Sequence, residues 1–307
     1  MMSVERGMTM AKARIGLVGH FARKDIRGVA ASIAQLLREH DADVITITTD
    51  AQALPGVPAV SATSLCEHID VLIAVGGDGT ILQAAGLVVD SRIPILGVNK
   101  GHLGFLSEIE VEEFEDALPS ILDGNYLIDE RMMIQGRFVD RSGVQHRMIA
   151  LNDLVINRNL LDNMLECEAD MEGQLIDYYA GDGIIVATPT GSTGYSLSAD
   201  GPLIYPGADC LIVNPICPHV LGTAAVIVPA DREIRIKITR SREPASVFAD
   251  GRLEGTMQIG DVLSIRRAPE SIRLVHLREH PFFDAVRNKL LNRNYRMTNN
   301  RSQVDEE

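Results

Sequence analysis

Along the first third of the chain, continuous apolar runs alternate with stretches whose apolar positions recur every three or four residues. ARIGLVG (13–19), DVITITT (43–49), DVLIAV (70–75) and PILGVN (94–99) read as strands. RGVAASIAQLLREH (27–40) places Val29, Ile33, Leu36 and Leu37 on one helical face, and TILQAAGLVVD (80–90) reads as a second helix. VEEFEDALPSILDG (111–124) reads as a third, which Pro119 is expected to kink or break in two. Strands that are apolar throughout are buried on both faces, so this region predicts an α/β domain around a doubly wound, mostly parallel sheet.

From about residue 126 the period changes to two. RMMIQGRFV, RMIALNDLVINR, MLECEADMEG, LIDYYAGDG, GIIVATPTG, AAVIVPA, EIRIKITR, ASVFADGRLEG, DVLSIRRA and SIRLVHL follow as short strands, most of them bounded by Gly, Pro or Asp. They predict a β-rich domain, a sandwich or layered antiparallel sheets, interrupted by one short helix at STGYSLSA (192–199). FFDAVRNKLLNRN (282–294), with Phe283, Val286 and Leu290 in helical spacing, reads as a terminal helix. The expected organisation is an α/β domain over 12–128, joined by the segment 279–300, and a β-rich domain over 129–278. Residues 1–11, rich in Met, and 301–307 are expected to be disordered.

Composition narrows the function. A net charge of −13 over 307 residues leaves nucleic acid and anionic membrane as poor partners. No apolar run approaches the roughly 20 residues that cross a bilayer. Cys66, Cys167, Cys210 and Cys217 form no C-x-x-C pair and read as reduced thiols of a cytoplasmic protein. His20, His102, His219, His276 and His280 show no ligand spacing, so no protein-held metal is expected.

The candidate chemistry lies in loops that follow strands, where open α/β sheets bind ligands. In GGDGT, Gly76, Gly77 and Gly79 leave room for a phosphate at the start of a helix, and Thr80 follows. The loop supplies an acid where a Walker loop supplies a lysine. Asp78 reads either as a helix cap or as the group that orients and deprotonates an attacking hydroxyl. Asn99 and Phe105 flank a second loop, VNKGHLGFL, a plain turn or a diphosphate site. Asn152 and Asp153 lie inside an apolar strand, where they need partners in a polar network or on a ligand. In TPTGSTGYSLS, Thr190, Thr193, Gly194, Tyr195 and Ser198 can cap a helix or floor a base, with Tyr195 stacking. Asp250, in FADGRLEG, reads first as a hairpin signal. Arg23 and Lys24 read as solvated loop charges or as the basic pair nearest a γ-phosphate.

Taken in order, GGDGT, N-K-G-H-L-G-F, the N-D pair and D-G-x-x-x-x-T-P-T-G-S-T-x-Y-S closely resemble the NAD kinase family, from about residue 13 to about 290. The resemblance implies phosphorylation of the 2′-hydroxyl of the adenosine ribose of NAD to give NADP. The donor would be ATP or polyphosphate, with Mg²⁺ or another divalent cation carried mainly on the nucleotide phosphates. It implies an active site between the two domains, with Asp78 as base and ribose contact, Gly79 and Phe105 beside it, and Asn99 along the diphosphate. It places Asn152 and Asp153 at the adenine and ribose, although the family often has Glu at the second position. Thr190, Thr193, Gly194 and Tyr195 would form the adenine pocket, and Ser198 would face the nicotinamide end. Gly76, Gly77 and Thr80 would serve the phosphate donor, and Arg23 and Lys24 are added to that loop by their position after the first strand. Asp182 resembles an acid that reaches the nicotinamide of a neighbouring subunit, which implies a homodimer or homotetramer. Ala180 stands where some members carry a basic residue and points to NAD over NADH. Lipid kinases share GGDGT but carry G-T-x-N-D-F where this chain has GVNKGHLGF. Phosphofructokinases would need a sugar-phosphate cluster of arginines, and a dinucleotide sensor would need no acid at Asp78.

Overall fold

In the computed structural model, described residues are 3–4, 12–101, 104–159, 164–220, 222–278, 282–287 and 289. The chain divides into two compact units, one of residues 1–129 with 273–307, the other of 130–272. His102, His280, Leu290 and most of 1–11 and 301–307 lie outside the described residues.

In the first unit, strands Ala59–Val60, Asp43–Ile47, Arg14–Gly19, Val71–Val75 and Ile95–Asn99 lie side by side in that order, all parallel. Leu274, in the strand Val262–His276, pairs in parallel with Ile95 at the next position. One face of the sheet, through Ile15, Leu17, Ile73, Val75, Leu96 and Val98, shares a core with the helices Lys24–Glu39 and Phe114–Leu122. From the other face Ile81, in the helix Asp78–Val88, approaches Gly97. Helices on both faces explain why these strands carry no polar alternation. The first helix begins at Lys24 rather than Arg27, so Lys24 is a first-turn residue. Pro119 does not break its helix: it and Glu115, whose carbonyl its missing N–H would have bonded, both face solvent.

The second unit is β-rich and antiparallel. Six strands run in the order Val226–Pro229, Cys210–Ile216, Gly183–Ala187, Asp153–Asn157, Ala245–Ala249 and Arg252–Met257. Strands Gln174–Gly181, Leu165–Met171, Ile234–Arg240 and Val262–His276 follow one another in a second layer. Leu154, Ile156, Val186, Val213 and Val247 of the first layer share one core with Cys167, Ile234, Ile236, Ile238 and Leu263 of the second. Val155, Ile185 and Ile212 point the opposite way into a separate apolar cluster. The central strands are therefore covered on both faces. Ile234, Ile236 and Ile238 alternate with exposed Arg235, Lys237 and Thr239 because their outer face is wet.

Three strand expectations are corrected. RMIALNDLVINR is two strands, Gln145–Ala150 and Asp153–Asn157, broken at Leu151 and Asn152. DVLSIRRA and SIRLVHL are one long strand, because Pro269 sits inside it without ending it. Cys210–Ile216 is a central strand that the strand pattern above omits, since CLIVNPI has no alternation and carries Pro215. The short helix is a 3₁₀ turn, Thr190–Thr193, followed after Gly194 by Tyr195–Ser198. Of the expected terminal helix, Phe282–Val286 is helical and the remainder past Lys289 lies outside the described residues.

Candidate active site

In the first unit, three candidate loops leave neighbouring parallel strands at their carboxyl ends. Gly19 is in register with Val75, and Val75 with Val98, so GHFARK, GGDGT and the Asn99–Phe105 loop emerge side by side. Gly76 sits at φ +154°, where an added Cβ would fall 2.3 Å from Thr80 Oγ1. Gly77 is the N-cap of the helix Asp78–Val88, and Gly77 and Gly79 are both exposed, so unhindered backbone surrounds the helix start. Asp78 does not cap its own helix. Its Oδ2 accepts the N–H of Phe105 at 2.8 Å and its Oδ1 that of Leu106 at 3.1 Å. The loop can come this close because residue 104 is glycine: a Cβ there would lie 1.6 Å from Asp78 Oδ1. Ser107 Oγ accepts the Gly104 N–H, and the Glu108 N–H donates to Gly97 O. The acid is thus held at the helix start by the loop that carries Phe105. Asn99 ends its strand half-buried.

Arg23, after the first strand, and Lys100, after Ile95–Asn99, share one carboxylate. Arg23 donates to both Asp25 carboxylate oxygens, at 3.2 and 2.7 Å, and Lys100 Nζ lies 3.6 Å from Asp25 Oδ2. Lys24 is exposed on the first turn of its helix.

The second unit gathers the remaining candidates around the break at Leu151–Asn152. Asp250, at the turn between Ala245–Ala249 and Arg252–Met257, accepts the N–H groups of Leu151, Asn152 and Asp153. Thr188 ties the next segment to the same break: its N–H donates to Asn152 O at 2.8 Å and its hydroxyl to Leu151 O at 2.6 Å. At Gly191 a Cβ would lie 2.1 Å from Asn152 O, so only glycine permits this approach. A Cβ at Gly194 would lie 3.2 Å from Asn152 Nδ2, which places that amide beside the start of Tyr195–Ser198. Asn152 Oδ1 is buried without a hydrogen-bond partner. Thr190 is buried and takes a bond from the Arg131 guanidinium at 3.3 Å, while the Thr193 hydroxyl donates to Thr190 O. Tyr195 and Ser198 are exposed. Asp153 is almost fully buried, and burial together with the charge of Asp250 pushes its pKa up to about 7. Asp182 pairs with Arg158 Nε at 2.8 Å, and Ala180 lies half-buried in the strand Gln174–Gly181.

Comparison with known proteins decides the family. Residues 57–126 match the ATP-NAD kinase N-terminal domain and 151–277 the ATP-NAD kinase C-terminal domain. The NAD kinase of Moorella thermoacetica is 40% identical over 277 residues, covering 90% of this chain and 89% of that one. That of Geotalea daltonii is 42% identical over 226 residues, 73% and 79% of the two chains. The chain belongs to the NAD kinase family. It is a kinase, a phosphotransferase. Two solved structures share the fold. A yeast NADH kinase complexed with NADH matches with a TM-score of 0.82 at 20% identity over 94% of this chain and 92% of that one. An NAD kinase from Archaeoglobus fulgidus in complex with ATP matches with 0.69 at 24% identity, over 89% and 98%.

In this NAD kinase family member, several contacts are not legible in the local sequence. Asp250 is a hairpin residue as expected, and its carboxylate also fixes the Asn152–Asp153 backbone from about a hundred residues away, a contact no local pattern carries. Arg131, buried under Thr190, lies in RMMIQGRFV, which reads only as a strand. Lys289, whose Nζ stands 4.2 Å from the centre of the Phe105 ring, sits in a helical stretch read for its apolar face.

Proposed function

We propose that this protein transfers the γ-phosphoryl group of ATP to the 2′-hydroxyl of the adenosine ribose of NAD, giving NADP, with Asp78 as the base. The observation that carries this reading is the tethered carboxylate of Asp78 among exposed backbone at a helix start. Each carboxylate oxygen accepts one backbone N–H and keeps a lone pair for the hydroxyl proton. The surrounding glycines and the helix dipole favour a phosphoryl group beside it. Phosphoryl transfer asks the protein for alignment and charge stabilisation rather than for a covalent intermediate.

The adenosine half of NAD fits the second-unit constellation. Asn152 Oδ1 is a buried acceptor with no partner, and an exocyclic amino group of a base would satisfy it. Tyr195 offers an exposed ring for stacking, and Thr190, Thr193 and Gly194 bound the same backbone. Asp153, held near neutrality by burial, is suited to a ribose hydroxyl. Asn99 and Phe105 are assigned to the diphosphate side, Ser198 to the nicotinamide end, and Ala180 supports NAD over NADH because no cation stands there against the charged nicotinamide.

Among the described residues no three His, Cys, Asp or Glu side chains converge to hold a metal. Mg²⁺ would arrive on the nucleotide phosphates, where it would offset their charge. Cytoplasmic location and a homodimer or homotetramer complete the reading. Among the described residues no helix is long and apolar enough to cross a membrane. The reading is tested by incubating purified protein with NAD, ATP and Mg²⁺ and detecting NADP with an NADP-specific dehydrogenase. NADP should accumulate, and its absence would contradict the reading.

A further inference from the structure

A phosphoryl-transfer site that lacks a lysine in its glycine loop must find cationic charge elsewhere, since negative charge spreads over the non-bridging oxygens of the group in flight. GGDGT has none. Of the basic residues in the neighbouring loops, Arg23 clasps Asp25 and Lys100 leans on the same carboxylate. Lys24 is exposed on the first turn of its helix.

Lys289 arrives from the far end of the sequence. Its Nζ lies 4.2 Å from the centre of the Phe105 ring, and the N–H of that same Phe105 is bonded to Asp78 Oδ2. The ammonium is therefore one side chain removed from the tethered acid, seated on an aromatic face that favours a cation. Lys289 is half-buried. Burial lowers its pKa, while the negative charge of Asp78 acts on it in the opposite direction. A lysine stripped of part of its water binds phosphate oxygens more strongly than one in solvent, because fewer waters compete and the local dielectric is lower.

From this placement we propose that Lys289 is a further catalytic residue, its ammonium binding the γ-phosphoryl oxygens of the donor during transfer. The inference rests on the kinase reading above. In the step, the ribose oxygen forms a bond to the γ-phosphorus as the bond from that phosphorus to the β–γ bridging oxygen breaks. The bridging oxygen leaves with the electron pair as part of ADP, and the hydroxyl proton passes to Asp78. Lys289 keeps its protons throughout and contributes hydrogen bonds and charge. The Phe105 ring seats the Lys289 ammonium and its N–H holds the acid, so one residue registers both groups.

The test compares wild type with Lys289→Met and Lys289→Arg, using ATP, Mg²⁺ and NAD, with NAD affinity measured separately by direct titration. Lys289→Met should lower kcat about 10²–10³-fold, the range for losing one preorganised charge stabiliser, and leave the NAD dissociation constant within about threefold. Lys289→Arg, which keeps the charge, should recover at least tenfold over the Met variant. Should Lys289→Met not fold, Lys289→Gln carries the same comparison. Near-wild-type kcat in the Met or Gln variant, or a loss of NAD affinity as large as the loss of kcat, would overturn the assignment. Wild type that makes no NADP overturns the kinase reading and this inference together, whereas active wild type beside an equally active Met variant overturns the lysine alone.

Discussion

At the scale of single residues, the sequence marks Asn152 and Asp153 because polar side chains are costly inside an apolar run, and Asp78 because an acid stands where a phosphate loop would carry a lysine. What holds them is set by residues far away in the chain. Asp153 shows the consequence. Burial and the nearby charge of Asp250 raise its pKa to about 7, from an ordinary value of 3.8. An acid whose folded pKa is raised takes its proton more readily in the folded state. Its contribution to stability is present below the unfolded pKa and is lost as pH climbs through about 7. Replacing Asp153 with Asn should therefore raise the melting temperature at pH 8, where wild type holds two buried charges together, and change it little near pH 4, where the unfolded chain also takes up much of the proton. The gain at pH 8 is of order 4 kcal/mol at most, from about 1.4 kcal/mol for each of the roughly three pK units between 3.8 and about 7. Thermal unfolding at the two pH values checks this, and a variant destabilised at pH 8 would show that the Asp153 charge is already compensated.

At the scale of elements, the strands and helices of the first unit are legible because each has a clear period and its own breakers. The break within RMIALNDLVINR is not, because Asp250 of a distant hairpin fixes it. Nor is the tether of Asp78, which depends on a loop 26 to 28 residues further on passing close enough to bond. Gly104 shows how close: a methyl group there would overlap the Asp78 carboxylate, at 1.6 Å from Oδ1. Gly104→Ala should displace that carboxylate and lower kcat by about 10²-fold, the scale for a 1 Å error in a reacting group. The fold should survive, since the residue lies in a loop at half-burial. Steady-state kinetics with a melting curve separates the two effects, and wild-type kcat would mean that the tether does not position the acid.

At the scale of the whole molecule, the two units each keep an apolar core and gather their own candidate residues. The return of the chain to the first unit at residue 273 is what brings His276 and Lys289 there. His276 is buried between two acids. Its Nδ1 is bonded to Glu108 Oε2 and its Nε2 lies 3.3 Å from Asp129 Oδ2, while Glu108 Oε1 also accepts the Leu277 N–H at 2.8 Å. Burial alone would lower its pKa. The hydrogen bonds and charges of Asp129 and Glu108 outweigh that and lift it to about 9. A histidine so raised contributes stability that is complete below about pH 6.5 and is lost as pH rises through about 9. Urea unfolding should show a decline between those values, of order 3 kcal/mol at most, and His276→Gln should flatten it. An unchanged slope in the variant would assign the decline to other groups.

The central claim, that Asp78 takes the proton from the 2′-hydroxyl of NAD, is met most directly by one comparison. Wild type and Asp78→Asn are assayed side by side for NADP formation from NAD, ATP and Mg²⁺, with NAD binding titrated in both. Asparagine keeps the size of the side chain and one oxygen to accept from the loop, so the variant should fold and bind NAD. Its kcat should fall about 10²–10⁴-fold, the range for a lost acid–base group. NADP made by the variant at close to the wild-type rate would remove Asp78 from the chemistry and leave it as a loop anchor.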